Sequence, residues 1–502
     1  MSRASISTGG AVFGAGTASR SDDTHFQQED SGQPMHILFV GDFSGRASRS
    51  VVDTQSLQNR KILEINRDNF DDVFSRLAVE LHLPSCAAPI AFDELDDLHP
   101  DLLYKQLPLF ERLRDLKRRL SMPATFDAAA KDMLAQGLGP VATPAPAGVT
   151  IPAGLFESVL SSQTSDAKAQ TVDALINSIV APFVQPKADP RAEELMRSVD
   201  LATAEALRTL MHTGAFQQLE ANWRSLYWLC RNIETGRNLK LFILDVTAAE
   251  LRSDFSQCLE ITDAKLYQRI VSQYQVPGSV GFSVLVSDVT LTDKAEDIPI
   301  AAGLSAIATS SDAIALISGS EKIAGCLSLA ETPDTDDWSY QVDTEFQELW
   351  QILREEPQAE CLLVAAPRFL LRLPYGTKTK PIDSFAFEEL GEAGEHKYYL
   401  WAQGAYLASY LVAKTFEQNF WDLASGVCQQ VEDLPQSIYT DSDGDSQAKA
   451  CAEIYMTDKT AAALLAAGLC PLRSVKNQAA VLVPRLVSMA DTEVSVLDVI
   501  SA

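Results

Sequence analysis

The residues best placed to do chemistry stand just after a short apolar run. Gly41-Asp42-Phe43-Ser44-Gly45 follows His36-Ile-Leu-Phe-Val40. A serine in a glycine-flanked turn at a strand end is where a nucleophile elbow or a phosphate-binding loop would stand. The spacing fits neither. The elbow needs its serine third in GxSxG, whereas Ser44 is fourth in the run, and no GxxxxGK[ST] pattern is present. The run reads as a tight turn. The six histidines (His25, His36, His82, His99, His212, His396) show no HxH, HExxH or HxxE pair, so metal-ligand spacing is missing.

Asp441-Ser-Asp-Gly-Asp445 places three carboxylates at alternate positions, as at the start of a calcium loop. The twelfth position of such a loop requires glutamate, and it is Ala452 here. A hairpin tip fits the run better. Eight cysteines are scattered without a CxxC pair, which suits buried small apolar side chains rather than zinc ligands or a disulfide framework. No catalytic, cofactor or metal residue is assigned. Carboxylates distant in the chain can still meet in a fold, and the sequence nominates no such pair.

A chain of 502 residues suggests about three compact units. With 46% hydrophobic and 22% charged residues it belongs with ordinary globular proteins. The formal net charge of −27 opposes binding to nucleic acid or anionic lipid, since phosphate affinity comes from clustered Lys and Arg. The single basic run, Arg112 to Arg119, sits among Leu113, Leu116 and Leu120 and reads as the solvated face of an amphipathic helix. An apolar signal core is missing from the first thirty residues, and no segment holds the ~18 uninterrupted apolar residues of a membrane helix. A cytoplasmic protein, without membrane insertion, is expected.

Residues 1–35 are rich in Gly, Ser, Ala, Asp and Gln and read as a flexible arm with at most one short strand near Ile6. Strands are expected at 36–40 and 61–65, and Asn69 can cap a helix over 70–81. Helical periodicity continues from Leu95 to Leu134 with a break near Pro123. Gly137 to Gly148 is a Pro/Gly/Ala linker. Beyond it, helices are expected at 154–160, 172–183 and 188–232. Within the last, Phe216, Leu219, Trp223, Leu226, Tyr227 and Cys230 recur at helical spacing and form a packing face. Apolar runs at 239–244, 280–286 and 313–317 then alternate with helices. The fold class is α/β, with mixed sheets flanked by helices. The acidic residues between Asp334 and Glu348 read as a solvated loop and helix start.

Two sets of residues carry a resemblance. Ile37-Leu-Phe-Val-Gly-Asp-Phe-Ser-Gly-Arg46 and Arg60-Lys-Ile-Leu-Glu-Ile-Asn-Arg-Asp-Asn-Phe-Asp-Asp-Val73, continued by Leu107 to Leu116, resemble the small (TssB/VipA-like) subunit of the type VI secretion contractile sheath. Phe216 to Leu229 with Glu234-Thr-Gly236, Pro367-Arg-Phe-Leu-Leu-Arg-Leu-Pro-Tyr-Gly376, and Glu388-Glu389 through Tyr399-Leu-Trp-Ala402 resemble the large (TssC/VipB-like) subunit. The chain is thus similar to a fusion of both. Residues 36–136 correspond to the small subunit, 137–153 to a linker, 154–475 to the large subunit and 476–502 to a tail.

The resemblance implies a non-enzymatic structural protein, a sheath-like protomer that stacks with other copies or sheath subunits around an inner tube on a baseplate. It also implies a short helix recognised by an unfolding ATPase, and Leu155, Phe156, Val159 and Leu160 stand where that helix would be. An alternative for these four is packing on their own domain. Family sheaths are knitted by strands exchanged between neighbours. The large-subunit match fades after Gly468 to Leu472, short of the family's usual end, and Glu493 to Ile500 alternates enough for a strand. Val494, Val496 and Val499 are the candidate assembly positions. The alternative function is a non-propagating adaptor, cap or assembly factor at the baseplate or sheath end. A third reading, an enzyme with an α/β core such as a hydrolase, rests on the strand-turn signal at Gly41–Gly45 and on dispersed carboxylates that could meet in the fold.

Overall fold

Buried parallel strands carry apolar side chains on both faces, and Met35–Gly41 does so, with every residue but His36 buried. The computed structural model describes residues 6–8, 11–13, 33–84, 86, 88–122, 125–135, 192–274, 278–391, 395–424, 426–440 and 445–501. The linker at 137–153, the helices expected at 154–160 and 172–183, and Asp441 to Gly444 lie outside the described residues.

The longer elements follow in chain order. Strands β1 (Ile6–Thr8), β2 (Ala11–Phe13), β3 (Met35–Gly41) and β4 (Leu63–Ile65) lead to helix α1 (Phe70–Arg76). The hairpin β5 (Val79–Leu81) and β6 (Ile90–Phe92) precedes α2 (Pro100–Gln106), α3 (Glu111–Ser121), α4 (Phe126–Ala135), α5 (Ala192–Met211) and α6 (Gly214–Asn232). Next come β7 (Leu239–Asp245), α7 (Ala248–Gln257), α8 (Lys265–Ile270), β8 (Val284–Leu291), α9 (Ile298–Ser310), β9 (Ile314–Gly319), α10 (Thr344–Glu355) and β10 (Leu362–Ala366). Short strands β11 (Phe369–Leu370) and β12 (Trp401–Ala402) precede α11 (Gly404–Asn419), β13 (Gln430–Val431), β14 (Ile438–Thr440) and β15 (Ser446–Ala448). The last elements are α12 (Asp458–Ala466), β16 (Cys470–Pro471), β17 (Arg473–Ser474), β18 (Val481–Leu482) and α13 (Val496–Ser501).

The chain divides into two compact units. The first holds residues 1–77, 221–372 and 401–502, and the second 78–220 and 373–400. The boundary at Leu77 falls inside the small-subunit-like part.

The first unit is built on a seven-stranded sheet in the order β16-β10-β9-β8-β3-β7-β4. All neighbours are parallel except the edge pair β4–β7, so the sheet is mixed, as expected. β3 pairs with β7 along its whole length, Met35 to Leu239 through Gly41 to Asp245, and with β8 from Ile37 opposite Val284 to Val40 opposite Ser287. The small-subunit-like segment therefore supplies an interior strand between two strands of the large-subunit-like segment. One face packs Leu38, Val40, Leu285, Ile317 and Val364 into a core with α7, α9 and α10. Helix α9 is buried from Ile298 to Ala308, as an apolar helix at the centre of a layered fold must be. On β3, Phe39 stacks on Tyr406 of α11 at 5.7 Å.

The second unit is mainly helical. Leu113, Leu116 and Leu120 of α3 are buried; of its basic residues Arg118 is exposed and the others are part-buried, with Lys117 pairing with Asp200 of α5 at 2.6 Å. Asp101 of α2 accepts the main-chain N–H groups of Asp383 and Ser384, both at 2.9 Å, and so anchors the 373–400 segment.

Four expectations shift. The helix expected over 70–81 ends at Arg76, and Ala78 turns the chain at φ 49° into β5. Val79 and Leu81 are buried around a half-exposed Glu80, a two-residue period that a strand satisfies and a helix cannot. Asn69 makes no capping bond. Its amide instead accepts Asn66 N–H at 2.8 Å and donates to the Glu64 carbonyl at 3.0 Å. The helix expected over 188–232 is two, divided at His212-Thr213, and the strand expected at 280–286 runs over Val284–Leu291. β14 and β15 pair as the hairpin expected around the acidic run at 441–445.

Candidate functional site

The order β7-β3-β8 makes the chain step to one side of β3 and then to the other. Open α/β sheets place their crevices at the carboxyl ends of strands flanking such a switch. At that end of this sheet lie the Gly41–Gly45 turn and three carboxylates from three strands. Asp288 of β8 stands beneath Gly41, so close that a Cβ added there would meet its Cγ at 2.4 Å. Its Oδ2 accepts Asp42 N–H at 2.9 Å and the Asn222 side-chain amide at 2.7 Å. Asp245, at the end of β7, accepts the N–H groups of Phe43 and Ser44 at 2.9 and 3.0 Å and the Ser44 hydroxyl at 2.7 Å. Asp42 accepts Arg46 and Ala47 N–H at 2.7 and 2.8 Å, closing the turn.

Burial pushes the Asp288 carboxyl up to about 7, against the Asp42 N–H bond and with help from the Asp42 charge. Burial raises Asp42 as well. Five residues after Asp245, Glu250 of α7 behaves oppositely. Burial works against its charge, but hydrogen bonds from Arg60, Thr247 N–H, Arg46 and Asp53 N–H bring it down to about 2. Arg46 and Arg60 reach it at 2.7 and 2.9 Å, and its side chain is fully buried. A charge so placed is held by its complete set of donors.

The aromatic residues close the joint. Trp223 of α6 donates to the Phe43 carbonyl at 2.7 Å, and its ring meets those of Phe43, Phe70 and Phe74 at 5.8, 5.6 and 4.5 Å. Gly41-Asp-Phe-Ser-Gly45 and Asn222-Trp223, singled out separately in the sequence, thus meet. Chemically, the arrangement raises the proton affinity of a buried carboxyl and locks a turn. Ser44 donates to a carboxylate rather than to an imidazole. Among the described residues no group of three or more His, Cys, Asp or Glu side chains is arranged to hold a metal.

A second meeting lies in the Pro367–Gly376 run and the Glu388-Glu389 pair. Tyr375 N–H donates to the Glu389 carboxylate at 2.7 Å, and Glu389 N–H returns to the Tyr375 carbonyl at 2.8 Å. Thr377 donates twice to Glu388, at 3.0 and 2.5 Å. Arg368, earlier in the run, pairs with Glu453, whose side chain is nearly buried.

Leu155, Phe156, Val159 and Leu160 lie outside the described residues. The strand expected at 493–500 is a correction. Ser495 bridges Val487, Val494 belongs to no strand, and Val496 and Val499 fall in helix α13. Ser495 Oγ accepts Leu497 N–H at 3.3 Å, and Val496, Leu497 and Ile500 are buried. That i, i+1, i+4 spacing buries one helix face, where a strand would have turned Leu497 away from Val496. Sequence reasoning missed Asp245, Asp288 and Glu250. Asp288 left a trace as the lone charge within Val284 to Leu291, whereas the other two left none.

This fold and joint belong to a tail-sheath protein: the family model "EvpB/VC_A0108, tail sheath N-terminal domain" matches residues 193–487, and the chain is a member of that family. A second model, "Type VI secretion system, VipA, VC_A0107 or Hcp2", matches residues 21–134. The chain is similar to the type VI secretion system sheath protein TssC1 of Pseudomonas aeruginosa, 29% identical over 296 residues. The match covers 57% of this chain and 58% of that relative. No helix among the described residues is long and apolar enough to cross a membrane.

Proposed function

We propose that this chain is a fused sheath protomer of a type VI secretion contractile tail, assembling with other copies around an inner tube on a baseplate. The observation that carries the reading is β3. A strand from the region matching the VipA family lies between β7 and β8 of the region matching the sheath family. The two halves therefore share one sheet and behave as a single building block. Its work is assembly in the bacterial cytoplasm rather than bond chemistry, and Leu155, Phe156, Val159 and Leu160 are the residues offered to an unfolding ATPase. Electron microscopy of the purified full chain tests this. Helical tubes with a regular repeat are expected, and persistent monomers under tube-forming conditions would refute it.

A second reading is a non-propagating adaptor or cap at the baseplate or sheath end. It is favoured by Val496 and Leu497, both fully buried within α13 rather than available for exchange with a neighbour. Small closed complexes in the same micrographs would select it.

A further inference from the structure

The seven-stranded sheet ends at β4, and the side of that strand turned away from β7 has no strand beside it among the described residues. A free strand edge is a template for a further extended segment. A groove of about 520 Å³ borders β4, lined also by the two residues before it, by α1 and by Arg269 of α8. That volume lies within the range of natural ligand sites.

The charges of this groove are out of balance. Lys61 and Arg76 are exposed and, among the described residues, make no ion pair. Arg269 donates to the Arg60 carbonyl and to Gln273 Oε1, both at 2.5 Å, and neither acceptor carries a charge. Of the two carboxylates in the lining, Glu64 is engaged by Lys240 at 3.1 Å, which leaves Asp72. Three cations therefore stand against one unengaged carboxylate, in a chain whose formal net charge is −27. Ile62, Leu63 and the buried Val73 supply the apolar part of the lining.

We propose that this groove binds an extended acidic peptide segment of a partner protein, added as a strand along the free side of β4. Main-chain hydrogen bonds to β4 would hold the segment, and its carboxylates would meet Lys61, Arg76 and Arg269. Successive side chains of a strand point to opposite faces, so a segment alternating acidic and apolar residues satisfies both parts of the lining. Opposite charge across the contact sets partner choice and speeds encounter. The reading is independent of whether copies of the chain assemble into tubes.

Fluorescence anisotropy of the purified full chain with a short labelled peptide alternating Glu and Val tests it. Binding at low salt that weakens as salt rises is expected. Lys61→Glu and Arg76→Glu should each weaken it roughly tenfold, because an attraction becomes a repulsion. Asp72→Asn should strengthen it roughly two- to fivefold, the worth of one exposed charge contact. All three side chains are exposed, so unchanged denaturant midpoints are expected and separate lost binding from lost folding. The same peptide methylated on its main-chain nitrogens keeps its charges but loses its strand donors, and should not bind. Absence of binding by the unmethylated peptide would overturn the proposal, as would equal binding of the methylated peptide or of one alternating Lys and Val. Displacement of the peptide by an equal concentration of inorganic tripolyphosphate would also overturn it, by marking a small-anion site. Self-association of the chain that Arg76→Glu abolishes would overturn it too, by assigning the groove to a second copy.

Discussion

The indole N–H of Trp223 donates to the main-chain oxygen of Phe43 at 2.7 Å, and this bond ties the helix of one sheath-like region to the turn of the other. Both residues are fully buried. Trp223→Phe should keep much of the ring packing but strand the carbonyl, at a cost of about 1–3 kcal/mol. Trp223→Ala should cost about 3–5 kcal/mol by leaving a cavity among Phe43, Phe70 and Phe74. Denaturant unfolding measures both, and a Trp223→Phe variant as stable as the unaltered chain would mean that the hydrogen bond contributes nothing.

Asp288 sets a pH dependence of definite sign. Its folded pKa is raised from 3.8 to about 7, so the folded chain binds the proton more tightly than the unfolded chain. The stability it contributes is fully present below pH ~4 and is lost as pH rises through ~7, at up to ~1.4 kcal/mol per unit. Asp42, also raised, acts in the same direction, and Asp245 and Tyr406 are the other titratable groups facing it. Asp288→Asn should flatten the fall in stability between pH 5 and 8. An unchanged slope would place the proton elsewhere.

Glu250 gives the opposite limb. Its folded pKa is lowered from 4.5 to about 2, so its contribution stands above pH ~4.5 and disappears as pH falls toward 2. Glu250→Ala leaves Arg46 and Arg60 without their buried acceptor and should cost about 3–5 kcal/mol at neutral pH. Acid unfolding of Glu250→Gln should begin from a lower stability but with a shallower slope.

Gly41→Ala and Gly236→Ala form a matched pair. The first puts a methyl group 2.4 Å from the buried Asp288 Cγ, while the second meets nothing within 4 Å. About 1–3 kcal/mol of destabilisation is expected for Gly41→Ala and near neutrality for Gly236→Ala. Thermal unfolding compares them directly.

Proteolytic cleavage between Gly137 and Gly148 should leave the two fragments together on gel filtration. β3 is hydrogen-bonded to β7 and β8 on opposite sides, and those strands lie on the other fragment. Separation of the fragments without denaturant would contradict the shared sheet.

Much of the local structure could be read from residue order because it depends on periodicity within a few residues. The uninterrupted apolar run before Gly41 marked β3, the stripe through Trp223 and Leu226 marked α6, and the leucines of 113–120 marked the buried face of α3. The motifs at 37–73, 216–236 and 367–376 also determined the family. The same local reading failed where two periods compete over a few residues, as at Val79 to Leu81 and Val496 to Ile500.

Tertiary structure alone decided which strands are neighbours and which charges meet. Asp42 and Asp288 are 246 residues apart, and no local pattern links them. Their contact follows from β3 entering the sheet between β7 and β8, an arrangement set by burial of apolar surface on both faces of the sheet. That burial carries Asp288 out of water and raises its carboxyl against the bonds from Asn222 and the Asp42 N–H, which makes an unremarkable aspartate a titrating joint between the two halves.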